Sequence, residues 1–106
     1  MQIVVTAWSN GRPNLVTGAG LGVRVARRDR DAYFRRLWSE VTLRLGGGES
    51  VRVILSPAFW RGCSELRSAK IGQWMLENGV APWPKGDPPR LRLEPTREAE
   101  FQLSMA

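Results

Sequence analysis

The sequence contains no histidine, a single cysteine and only two lysines. Without histidine, every mechanism that needs an imidazole base or an imidazole metal ligand is excluded, zinc hydrolases and zinc fingers among them. One cysteine, Cys63, permits no intrachain disulfide and no thiolate cluster, so a disulfide framework is excluded and a reducing compartment is the expectation. The opening residues MQIVVTAWSNGR lack a basic segment followed by a long apolar one, which is not the pattern of a signal peptide. No apolar run approaches the ~18 residues of a membrane span. A cytoplasmic location is the resulting expectation.

The carboxylates are sparse as well, with 10 Asp and Glu against 16 Lys and Arg, for a formal net charge of +6. They form no pair whose spacing suggests magnesium binding or shared acid–base work. Cys63 stands between Arg61 and Arg67, a setting that would suit a nucleophilic thiol. The plainer reading is a buried cysteine at the start of a helix. The glycines of Gly18-Ala19-Gly20-Leu21-Gly22 resemble a phosphate loop, but a strand follows them where such a loop requires a helix. These absences argue against a conventional enzyme, and no cofactor or metal is implied.

What remains is a chain of 106 residues with 42% hydrophobic residues, enough for one domain with one core, spanning 1–106. Fourteen of the 16 cations are Arg, since only Lys70 and Lys85 are lysine. Arginine presents a planar fork suited to phosphates and guanine edges. A GC-rich genome would also raise Arg over Lys, but it does not account for the positive sum. An acidic partner is therefore expected, and nucleic acid is the first candidate.

Local patterns supply the elements. Residues 2–8 are β-branched and aromatic and predict a strand, and residues 9–20 read as a long loop. Leu21, Val23 and Val25 alternate with Arg24. Residues 27–37 predict a charged helix with Tyr33, Phe34 and Leu37 turned inward. Val41, Leu43 and Leu45, then Gly46-Gly47-Gly48, then Val51 and Val53 predict a hairpin that pairs Leu43 with Val51 and Val41 with Val53. A loop carrying Phe59, Trp60 and Arg61 leads to a second helix, with Ser64 as N-cap and Gly79 as its stop. Residues 80–89 form a proline-rich connector. A last hairpin turns over Pro95–Ala99 and pairs Leu93 with Phe101 and Leu91 with Leu103. The order β-β-α-β-β-α-β-β predicts an α+β fold: a small, mostly antiparallel, partly closed β-barrel, or pseudobarrel, with two helices.

The arginines Arg24, Arg44, Arg52, Arg90 and Arg92 all fall on the non-core phase of their strands. On one sheet face they would track a phosphate backbone; scattered, they would be an ordinary solvated surface. Loops add Ser9, Asn10, Arg12 and Asn14 in one place and Trp60 and Arg61 in another.

The run Trp74-Met75-Leu76-Glu77-Asn78-Gly79, then Lys85-Gly86-Asp87 and Leu91-Arg92-Leu93, resembles the end of a B3-type DNA-binding domain. Pro88-Pro89 and a longer connector depart from that family's pattern. The resemblance implies a pseudobarrel that grips the DNA major groove with two loop arms. The first arm would hold Arg12 and Asn14, and the second Trp60 and Arg61. The expected site is thus Arg12, Asn14, Arg24, Arg44, Arg52, Trp60 and Arg61, on duplex DNA. Two other readings stand beside it: an accessory protein that binds an acidic protein through exposed Trp60 or Trp83, and a histidine-free, toxin-like protein that cleaves RNA.

Overall fold

The computed structural model describes residues 2–106. It is an α+β fold whose seven strands form one sheet curled into a nearly closed barrel. In chain order the elements are β1 (Ile3–Ser9), β2 (Leu21–Arg24), α1 (Arg27–Tyr33), β3 (Glu40–Arg44), β4 (Ser50–Ile54), α2 (Pro57–Arg61), β5 (Glu65–Arg67), α3 (Ala69–Glu77), β6 (Arg90–Arg97) and β7 (Glu100–Met105). Spatially the strands run β4-β3-β7-β6-β1-β2-β5, and the edge strands β4 and β5 approach each other across the seam. All pairings are antiparallel except β3 with β7, so the sheet is mixed.

Period-two alternation decides which face is inside. Ile3, Val5 and Ala7 of β1 are buried, while Val4, Thr6 and Trp8 lie on the outer phase. The same alternation holds in β3, β6 and β7, whose inner residues Leu43, Leu93 and Phe101 are almost wholly removed from water. The β3–β4 hairpin has the expected register, with Leu43 opposite Val51 and Val41 opposite Val53, closed by Leu45 N–H donating to Glu49 O at 2.7 Å.

Both open ends of the barrel are sealed. At the end where β1 finishes, α3 lies over the core with Ile71, Trp74 and Met75 buried. Ser68 caps it, accepting from Lys70 N–H at 3.2 Å, and Gly79 at φ +71° ends it. Gly72 of α3 meets the backbone at Gly18 so closely that a Cβ there would overlap the Gly18 carbonyl. At the opposite end, α1 and α2 close over an aromatic cluster in which Phe34 stacks on Phe101 at 4.7 Å and meets Phe59 at 5.3 Å. Arg30 joins the two helices: its side chain is buried, donates to Phe59 O at 3.1 Å and pairs with Asp31 at 2.9 Å.

The structure corrects several expectations, beginning with the element order: there are seven strands and three α-helices in place of six and two. The segment read as a loop with Trp60 contains α2, which ends at Gly62 (φ +150°). Ser64 is not a helix cap; its hydroxyl donates to Val25 O at 2.6 Å, which draws residues 65–67 alongside β2 as an additional strand. Cys63 is exposed, not buried. The first helix stops at Tyr33 because Phe34 is extended, and Leu37, expected inside, is 96% exposed. In the last hairpin Leu93 pairs with Leu103 and Leu91 with Met105. Pro95 continues the strand opposite Phe101, and a bulge between Pro95 and Arg97 accommodates its missing N–H. A shift of two residues leaves every side chain on the face assigned to it.

Candidate nucleic-acid interface

Strand order sorts the outward arginines into two groups. On one half of the outer face Arg90 of β6 lies opposite Thr6 of β1, which lies opposite Arg24 of β2. Arg92 lies opposite Val4 one step along, and in the other direction Trp8 opposes Gly22, which opposes Arg67 of β5. Neighbouring strands are ~4.8 Å apart, so Arg24 and Arg90 project from backbones about 10 Å apart with only Thr6 between them. Among the described residues, Arg90, Arg92 and Arg67 have no ion-pair partner. The Arg67 guanidinium lies over the Trp8 ring at 5.3 Å, which fixes a flat cation on an aromatic platform.

Arg24 is different. It pairs with Glu65 at 3.2 Å, and that carboxylate is almost buried beneath it. Much of its charge is answered within the protein, so it contributes less to an external anion than Arg90 or Arg92.

Arg44 and Arg52 belong to the other half of the sheet. Arg52 is 3.6 Å from Glu40 and sits in a row with Thr42 and Glu100. Arg44 is in register with Gln102, which is in register with Glu94. Glu40 and Glu100 thus lie beside Arg52, whereas Glu94 follows Arg92 on β6. Among the described residues Arg44 has no ion-pair partner, and β7 separates both arginines from the Arg90–Arg92 group.

The two loops expected to act as arms leave opposite ends of the barrel. β1 and β4 run in opposite directions through the chain of pairings β1–β6–β7–β3–β4. The loop after β1, with Arg12 and Asn14, thus lies at the α3 end, and the segment after β4, with Trp60 and Arg61, lies at the α1–α2 end. Asn14 is committed to its own loop: Oδ1 accepts from the N–H groups of Val16 at 2.8 Å and Thr17 at 2.9 Å. Asn10 likewise accepts from Arg12 N–H at 2.9 Å, and Ser9 from Gly11 N–H at 3.0 Å. Arg12 itself is exposed. Trp60 is half-buried against Phe59, with the guanidinium groups of Arg36 and Arg30 at 5.0 and 5.6 Å from its ring. Arg61 is exposed beside it.

Of the expected residues, the barrel places Arg24 with Arg90, Arg92 and the unanticipated Arg67–Trp8 pair. It places Arg44 and Arg52 apart, and Trp60 and Arg61 at the far end. Sequence reasoning misses Arg67 because Glu65-Leu66-Arg67 is too short to show alternation and merges with the helix that follows. Among the described residues no three of Cys, Asp and Glu come together as a metal site, and no helix is long and apolar enough to cross a membrane. Comparison with protein-family models, curated proteins and solved structures finds no match.

Proposed function

We propose that this protein binds nucleic acid, with DNA the favoured ligand, through the outer face of β6, β1, β2 and β5. The observation that supports this reading is the arginine group itself: among the described residues Arg90 and Arg92 project without ion-pair partners from one strand, flanked by Arg24 and by the Arg67–Trp8 stack. Arg90 and Arg92 contact phosphate oxygens, Arg24 adds a weaker contact, and Arg67 presents its fork from the Trp8 platform. The loop with Arg12 adjoins this face at the α3 end and serves as its arm. Trp60 and Arg61, at the other end, are not required by the interface. This arrangement keeps the pseudobarrel and the first arm of the B3-type expectation and replaces the second arm by the sheet face.

The test is a salt series. Duplex DNA titrated with the protein should bind at low salt, and the affinity should fall with a log–log slope of roughly −2 to −3, about 0.9 for each of two or three phosphates contacted. Absence of binding at low salt, or an affinity indifferent to salt, would overturn the proposal and favour an acidic protein partner or none.

A further inference from the structure

The connector between α3 and β6 carries a half-buried tryptophan that packs against the core from outside and leaves part of its ring exposed. Trp83 stands between Pro82 and Pro84, and its segment is tied down by Val80 N–H to Met75 O at 2.8 Å and by Asp87 N–H to Pro84 O at 3.0 Å. Trp83 and Pro82 line two adjoining cavities. The larger, about 430 Å³, also includes Arg90, which belongs to the basic sheet face. The smaller, about 270 Å³, lies between Trp83 and the loop after β1, where Pro13, Leu15 and Leu21 supply apolar walls. Its polar groups are Ser9 and Lys85.

We infer that the smaller cleft receives a nucleobase displaced from its stack, held against Trp83, an inference that rests on the nucleic-acid reading above. Size, charge and continuity choose this occupant. The cleft falls below the ~300–1,000 Å³ of sites for larger ligands, so it suits one flat ring system. Lys85 at its wall answers a phosphate, whereas an apolar peptide side chain would bring nothing for that cation to meet. Trp83 lines both cavities, with Arg90 on the first and Lys85 on the second, so a cation stands on either side of the ring that joins the basic face to the cleft. The Ser9 hydroxyl already accepts from Gly11 N–H and keeps its own proton to donate to a base edge. The walls come from a loop held by Ser9, Asn10 and Asn14, so the cleft exists before the ligand arrives. Extrusion is easiest where a base is mismatched or already single-stranded, and the protein should therefore prefer such sites.

The experiment compares binding, by fluorescence anisotropy at fixed salt, of a fully paired DNA duplex, the same duplex with one mismatched pair, and the single strand. The mismatched duplex and the single strand should bind more tightly than the paired duplex. Trp83→Ala should lower affinity for those two by roughly 5- to 150-fold, the range expected from one base–aromatic stack. Trp83→Phe should restore most of the preference. Leu15→Trp, a change at a half-exposed loop position that fills the cleft from its rim, should abolish the preference. Equal affinity of the native protein for paired and mismatched duplexes overturns the base cleft and leaves salt-dependent binding standing. The same holds if Leu15→Trp keeps the full preference. Failure to bind any of the three overturns the nucleic-acid reading itself.

Discussion

Phe101→Ala should destabilise the protein by about 3–5 kcal/mol, the usual loss when a buried phenylalanine is cut back to alanine. Phe101 is 1% exposed, stacks on Phe34 at 4.7 Å and meets the edge of Trp38 at 6.4 Å. It stands where the barrel interior gives way to the cap made by α1 and α2, so its removal opens a cavity shared by two layers. Folded domains are stable by only about 5–15 kcal/mol, and a loss of this size consumes much of that margin. Urea denaturation measures it: the midpoint should fall sharply with the slope m unchanged. A loss under about 1 kcal/mol would mean that the aromatic cluster does not hold the cap.

The second large effect is expected at the opposite seal. Gly72→Ala adds a methyl group where α3 touches the backbone of the loop that precedes β2. Alanine favours a helix over glycine by about 1 kcal/mol, so an isolated α3 would gain from the change. In the folded protein the new Cβ overlaps the Gly18 carbonyl. Gly18 itself sits at φ +83° with its own surface pressed against the backbone of residues 69–73, so neither partner can rotate away. Overpacking costs typically about 1–3 kcal/mol, and a clash with backbone belongs at the upper end. A domain of this size then loses about 10 °C or more in Tm. Gly46→Ala is the matched control: its Cβ would lie 3.6 Å from Trp74 Nε1, an ordinary contact, and the Tm should barely move. A Gly72→Ala protein as stable as the native one would show that α3 and the loop are less closely packed.

These two positions show what can be read from the chain alone. Alternation announces β3 and β4 because five residues on each side of a three-glycine turn repeat the pattern. The three residues of β5 and the five of α2 are too few for any period to register, and both exist through long-range contacts such as the Ser64–Val25 hydrogen bonds. The face of each arginine is legible for the same reason that the hairpin is: parity along a strand survives even a misplaced register, as β6 and β7 show. Which arginines become neighbours is not legible. That depends on β1 lying between β6 and β2 and on the parallel pairing of β3 with β7, and no local signal encodes either. Hence parity alone groups Arg44 and Arg52 with Arg24, although β7 divides them.

That division is the centre of the functional account, and two double variants of equal charge change test it. Arg90→Ala with Arg92→Ala removes two arginines of the proposed face; Arg44→Ala with Arg52→Ala removes the two on the far side of β7. All four side chains are exposed, so both proteins should remain folded. Duplex affinity measured across a salt series should fall at least about tenfold at low salt for the first pair. Its log–log slope should become shallower by about 1.8, or about 0.9 for each of the two phosphates no longer neutralised. The second pair should change the affinity by less than about threefold and leave the slope nearly intact. Equal losses in the two proteins, or a greater loss for Arg44 and Arg52, would contradict the account and return the positive charge to a uniform surface.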